Sequence, residues 1–340
     1  MKQIIECVPN FSEGRNMKVI DPIAESTRQS GGVKVLNVDP GAATNRTVIT
    51  FAGSPEDVTE AAFQGVKRAG ELIDMRLHHG AHPRLGATDV LPLVPVSGIT
   101  VEECAELARK LAERIYTELG IPCYCYEAAA FKPERKNLAV CRAGEYEALP
   151  ERMKDPVRRP DFGPGEFTER AARTGATNVG ARDFLIAVNV NLNTTSVSEA
   201  NAIAFEVREK GRPVTVDGKT VMIPGTLKGC KAIGWFIDEY GIAQVSMNIT
   251  DINTTPLHIA FEEVRRAAQA RGLQVTGTEI IGLVPKRTML EAGLYFLERQ
   301  HRPTDVSEQD IMQAAVISMG LDDLKPFNVK DKVVELLIGD

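Results

Sequence analysis

The chain is short of positive charge. Its 40 Lys and Arg face 46 Asp and Glu, a net charge of -6 over 340 residues. A general nucleic-acid binder needs a basic face to match phosphates, so that class is excluded, whereas a small acidic substrate needs only a few local arginines. Also absent is any run of about eighteen apolar residues. The opening M-K-Q-I-I-E-C-V-P-N shows no basic segment leading into a long apolar one. The expectation is a cytoplasmic protein without a membrane span. Cysteine is scattered, at Cys7, Cys104, Cys123, Cys125, Cys141 and Cys230, and with no export signal these predict reduced core thiols, not a disulfide framework. Cys123 and Cys125 would share one face of a strand, but no second pair at ligand spacing accompanies them. There is no G-x-S-x-G, no G-x-G-x-x-G after the first strand and no complete phosphate loop. What remains is group transfer between small molecules.

What is present is a regular alternation of strands and helices. Hydrophobic content of 43% and charged content of 25% are ordinary for a globular chain long enough for two cores. Residues 3–8, 33–38, 46–52 and 90–94 read as strands, with helices over 17–30 and 54–73, where Ser54-Pro55-Glu56-Asp57 is a helix start. Pro92 suggests an edge position for its strand. Thr100-Val101-Glu102-Glu103 is a capping box opening a helix to about Leu119, and residues 122–126 form a further strand. Residues 132–178, irregular and rich in Pro, Gly and Arg, are the candidate junction. Beyond them the order βαββαβ returns, with strands over 184–192, 231–238, 243–249 and 275–283 and helices over 196–210 and 255–270. Two helix-like segments, 308–319 and 330–337, close the chain. The fold expected is α+β: two ferredoxin-like βαββαβ subdomains with antiparallel-rich sheets and helices on one face, plus C-terminal helices. The divisions drawn are 1–178, 179–300 and 301–340. A cleft between the free sheet faces is where a small ligand is expected.

The densest chemistry lies in D-M-R-L-H-H-G-A-H-P-R-L-G-A-T-D, residues 74–89, which holds three of the five histidines. Imidazole alone titrates near neutrality, at about 6.5, so the segment points to proton transfer or metal binding. H-H-x-x-H offers three nitrogens, but Gly80 and Pro83 prevent the helical spacing that a zinc-binding H-E-x-x-H needs. Acid/base catalysis asks for one histidine and an orienting partner, for which Asp39, Asp74 and Asp89 are candidates.

Several separated segments carry a resemblance. E-C-V-P-N-F-S-E-G-R-N (6–16), D-P-G-A-A-T-N-R-T-V-I-T-F-A-G (39–53), H-H-G-A-H-P-R-L-G-A-T-D-V (78–90), P-D-F-G-P (160–164), G-A-R-D-F-L-I-A-V-N-V-N-L (180–192) and D-L-K-P-F-N (323–328) resemble glutamate formimidoyltransferase, the transferase half of formiminotransferase-cyclodeaminase. The resemblance implies transfer of a formimino group from N-formimino-L-glutamate to N5 of tetrahydrofolate in histidine degradation, by a homodimer with tetrahydrofolate as co-substrate and no metal. Its H-P-R motif places the catalytic histidine at His82, with Asp39 as the expected orienting partner. The family's folate-contacting segment begins at Gly163-Pro164 and implies contacts from Gly165, Glu166 and Phe167, although residues 165–174 depart from the family's pattern. Arg46 and Arg84 are expected to meet carboxylates of the substrates, since the guanidinium fork suits them. With no cyclodeaminase half before Asp340, the expectation is that either a separate polypeptide performs the deamination downstream or the formimino group is handled otherwise. Two neighbouring readings are a formyl donor in place of the formimino donor, giving 5-formyltetrahydrofolate, and a folate-binding protein without catalysis. A metal-dependent amidohydrolase is a third.

Overall fold

The structure, a computed structural model, describes every residue except Met1, Ala43, Ala81, His82, Asp217, Gly218 and Asp340. Two compact units divide it, Met1–Asp183 and Phe184–Asp340.

In the first unit the elements are β1 (Ile4–Cys7), β2 (Asn10–Phe11), α1 (Met17–Gln29), β3 (Val33–Gly41), β4 (Arg46–Gly53), α2 (Pro55–Leu72), β5 (Thr88–Ser97), α3 (Val101–Leu119) and β6 (Cys123–Glu127). Local chemistry sets the helix starts. Ser54 Oγ accepts from Asp57 N, and the Thr100–Glu103 capping box closes in both directions; each satisfies amide donors that the first turn leaves over. β1 and β2 are one strand interrupted at Val8-Pro9, and both lie between β4 and β5. With β3 beyond β4, the order β3, β4, β1/β2, β5 is the ferredoxin-like arrangement predicted, all antiparallel.

Pro92 departs from its expected edge position. β5 is central, with β1/β2 on one side and β7 (Thr177–Ala181) on the other. The Pro92 carbonyl accepts from Val8 N at 3.3 Å. Amide and carbonyl of one residue point the same way from an antiparallel strand, so the missing N–H of Pro92 falls opposite the Val8-Pro9 break and disrupts no ladder.

The stretch 132–178 is not a spacer. It forms the short helices α4 (Leu138–Cys141), α5 (Leu149–Lys154) and α6 (Glu169–Thr174) and then β7, which inserts parallel between β5 and β6. A division at 178/179 would cut β7; the units part after Asp183.

Strand alternation sorts the sheet into two faces. Ile5, Cys7, Phe11, Ile49, Phe51, Leu91, Leu93, Cys123, Cys125, Val179 and Ala181 pack with Ile23, Val58, Phe63, Val66, Ala108, Leu111 and Ile115 of the helices. All six cysteines are buried and free, and burial holds the Cys123 thiol well above its ordinary pKa. The opposite face takes the intervening residues, among them Glu6, Asn10, Arg46, Tyr126 and Asn178.

The second unit repeats the plan with β8 (Ile186–Leu192), α7 (Val197–Val207), the paired β9 (Arg212–Val216) and β10 (Lys219–Ile223), β11 (Cys230–Ile237), β12 (Ile242–Ile249), α8 (Leu257–Gln269) and β13 (Val275–Ile281). Its sheet order β11-β12-β8-β13 matches that of β3-β4-β1/β2-β5, so the βαββαβ unit occurs twice, the second time with β9 and β10 inserted. The chain continues through α9 (Lys286–Arg299), α10 (Glu308–Met319), α11 (Val329–Lys332) and α12 (Val334–Ile338). α10 packs on α9 through Ile311, Ala314 and Leu297, and Asn191 Nδ2 donates to Asp323. The C-terminal helices are thus part of this unit. No described helix is long and apolar enough to cross a membrane.

Candidate active site

The histidine segment leaves α2 through a single 3-10 turn, Met75–Leu77, capped by Asp74. Arg76 then pairs with both Asp74 and Glu169 of α6, each at 2.6 Å. Asn45 clamps the middle of the segment: its Nδ2 donates to His79 O at 2.9 Å, and its Oδ1 accepts from Gly14 N at 3.0 Å. Gly80 has to be glycine here, because a Cβ would lie 2.3 Å from Thr44 O. The far end is stitched on two sides. Ser12 Oγ donates to Gly86 O at 2.7 Å and Ser12 N to Ala87 O at 2.9 Å, while Ala87 N donates to Thr174 O at 2.7 Å. A Cβ on Gly86 would meet Ala176 O at 2.5 Å. The segments 6–16, 39–53 and 78–90, far apart in sequence, are therefore one contiguous assembly.

His78 is 8% exposed and has both ring nitrogens engaged. Arg84 Nε donates to Nδ1 at 3.4 Å, which leaves Nε2 to carry the proton and donate to Asn45 O at 2.9 Å. Burial, with Arg84 adding to it, pushes the His78 pKa down and keeps it neutral. So engaged, His78 has no lone pair to offer a metal in an H-H-x-x-H set.

Arg84 was expected to meet substrate anions, but its donors go elsewhere. Its Nη1 and Nη2 bind Glu147 at 2.8 and 2.6 Å, Nη1 also reaches Glu145 at 2.9 Å, and Nη2 reaches His78 O at 3.3 Å. The hydrogen bond from Arg84 holds the Glu147 carboxyl below its usual range. Arg84 is thus a latch that holds the loop against residues 145–147.

Arg46 lies on the sheet face opposite α1, α2 and α3. Its Nε donates to Asn10 Oδ1 at 2.7 Å, and its Nη1 is 3.3 Å from Asp89 Oδ2. Asp89 also binds Arg142 and accepts Leu85 N at 3.0 Å, while its main-chain carbonyl accepts Asn178 Nδ2 at 2.9 Å. Regular alternation would send Asp89 to the core with Leu91 and Leu93. A register shift at Asn10/Phe11, which face Val90 and Thr88, makes Asp89 the extra residue, and such bulges re-aim a side chain. Burial pulls the Arg46 pKa down to about 10 and pushes the Tyr126 phenol up to about 12.

Of the other residues singled out in the sequence, His82 lies outside the described residues. Asp39 is exposed on β3, opposite Val48. Phe162 pairs with Cys123 at the sheet edge, its amide and carbonyl bonded at 3.1 and 2.8 Å, and this fixes where Gly163 and Pro164 begin. Gly165 and Glu166 are exposed. Phe167 packs edge-on against Tyr146 at 6.3 Å and on the cluster that holds Leu85, and Tyr146 N donates to Arg84 O at 3.0 Å, so the 163–167 segment reaches the histidine loop. The divergent residues after Phe167 form α6, capped by Thr168. Sequence reasoning missed Asn10, Asn45, Arg142, Glu145, Glu147 and Asn178. Asn10 and Asn45 lay inside the quoted motifs, whereas the other four carried no local signal.

The first unit thus holds the histidine loop beside buried arginines, within a chain built twice on the ferredoxin-like plan. Two family models cover it, "Formiminotransferase domain, N-terminal subdomain" over residues 4–182 and "Formiminotransferase domain" over residues 187–339. The chain belongs to the formiminotransferase family. It is 46% identical over 340 residues, its whole length, to formimidoyltransferase-cyclodeaminase of Sus scrofa, and spans 61% of that protein. Against glutamate formimidoyltransferase of Streptococcus pyogenes serotype M1 it is 43% identical over 298 residues, 88% of this chain and 94% of the relative. The protein of that name from Thermoplasma acidophilum is 40% identical over 297 residues, 87% and 92% of the two chains.

Proposed function

We propose that this protein is a glutamate formimidoyltransferase, moving the formimino group of N-formimino-L-glutamate to N5 of tetrahydrofolate. The observation that carries the reading is the 43% identity across 94% of a relative of that name. It is supported by the packing of three motif segments into one assembly around the histidine loop.

The chemistry requires that a proton move. N5 attacks the formimino carbon, and the bond from that carbon to the glutamate nitrogen breaks only once that nitrogen is protonated. One imidazole serves both needs, taking the proton of N5 and delivering it to the departing nitrogen. We assign this role to His82 and the orienting role to Asp39. The products are glutamate and 5-formiminotetrahydrofolate. Arg46 is assigned to the carboxylates of the substrates and Gly163, Pro164, Gly165, Glu166 and Phe167 to folate. No metal enters the scheme. The protein acts in the cytoplasm as a homodimer, with a cyclodeaminase consuming its product.

An absorbance assay of the purified protein with tetrahydrofolate and N-formimino- or N-formyl-L-glutamate tests the reading. Turnover with the formimino donor is expected; turnover with the formyl donor alone would replace it by formyl transfer.

A further inference from the structure

One carboxylate, Asp89, serves two guanidiniums in the first unit. Its Oδ2 faces Arg46 at 3.3 Å and Arg142 from the other side, and its Oδ1 is shared between Arg142 Nε at 3.2 Å and Leu85 N at 3.0 Å. The exposures are unequal. The Asp89 side chain is 1% exposed, while Arg46 and Arg142 each show 14%. An arriving anion therefore meets the cations and not the carboxylate between them. Beside them the fully buried Asn178 gives its amide to Asp89 O; its Oδ1, without a partner among the described residues, is an acceptor that suits an N–H of the donor and not its carboxylate. Two guanidiniums that each keep an exposed edge beside one sealed carboxylate are suited to take a carboxylate from solution.

Its place in the chain says which carboxylate. Leu85, held by Asp89, lies three residues after His82, so the arginine pair is anchored to the end of the loop that carries the proposed catalytic histidine. In N-formimino-L-glutamate the transferred carbon is bonded to the α-nitrogen, and the α-carboxylate sits on the adjacent carbon. The glutamate carboxylates of folate are separated from N5 by the aminobenzoyl ring.

Resting on the formimino-transfer reading, we infer that Arg142, paired with Arg46 through Asp89, binds the α-carboxylate of the donor and selects α-amino-acid donors. Arg142 is then a specificity residue that no motif marks. Arg84, with its donors spent on Glu145, Glu147 and His78, is not part of this grip.

Steady-state kinetics of the full chain and of Arg142→Gln and Arg142→Lys test it. For Arg142→Gln the donor KM rises roughly ten- to a hundredfold, the worth of a charge-assisted bond, with kcat within a few-fold and the tetrahydrofolate KM unchanged. Arg142→Lys, which keeps the charge, lies between. N-formimino-4-aminobutyrate, which lacks the α-carboxylate, is a poor donor for the natural chain, and Arg142→Gln removes most of its disadvantage. L-glutamate raises the melting temperature of the natural chain and not that of Arg142→Gln, a readout that needs no turnover and survives failure of the transfer reading. An unchanged donor KM with an unchanged preference between the two donors overturns the inference, as does a rise confined to the tetrahydrofolate KM. If Arg142→Gln does not fold, Arg142→Lys decides by the same comparisons.

Discussion

His82 and Asp89 belong to one segment and differ in kind. If His82 is the proton relay proposed above, its replacement by Ala is expected to lower kcat roughly a hundredfold to ten-thousandfold with the far-ultraviolet circular dichroism unchanged; natural turnover by that variant would sink the mechanism. Asp89→Asn leaves two guanidiniums facing a neutral amide where the buried carboxylate stood. Breaking such buried pairs costs about 3 kcal/mol or more, and urea unfolding should report a loss of that size. His78 supplies a pH signature. Burial lowers its folded-state pKa, so below the unfolded value of about 6.5 the unfolded chain binds the extra proton first. Its contribution is intact above that pH and drains away as the pH falls through the window beneath it. His258, also lowered by burial, adds to the same fall. In His78→Gln the urea midpoint is expected to drop less between pH 7 and pH 5 than in the natural protein, but still to drop.

At the scale of elements, most strands and helices were legible because their signals are local. Ser54-Pro55, the Thr100–Glu103 box and the predicted helix at 308–319 all formed as read. The failures come from pairings that no local signal describes. Pro92 sits in a central strand because a break in the neighbouring strand lies opposite it, and Asp89 leaves the core face because two strands are out of step by one residue. The irregular stretch 132–178 lacks apolar periodicity because its helices are short and its buried arginines pack on an aromatic: Arg135 and Arg152 lie 5.0 and 4.6 Å from the Tyr124 ring. The contact between the histidine loop and the β3–β4 connection supplies a test at this scale. In Gly80→Ala the new methyl has no room beside Thr44 O, so the loop must shift. Misplaced catalytic groups are expensive, and kcat is expected to fall roughly tenfold or more while the melting temperature changes little.

For the whole molecule, the doubled βαββαβ plan was readable from the order of elements alone, and the two matching sheet orders bear it out. The homodimer is a prediction at this scale: sedimentation equilibrium should give twice the chain mass at micromolar concentration, and a single-chain mass would count against it. Sequence by itself determined the class of fold, the helix caps and the family motifs, because periodicity, capping and turn chemistry act over a few residues. Only the tertiary structure decided that Arg84 latches a loop, that Arg46 shares Asp89 with Arg142, and that Asn178 lies beside them with an oxygen unpartnered among the described residues. Those partners are separated by up to 132 positions, and the charge balance of a buried cluster exists only once strand register has brought its members within hydrogen-bonding distance.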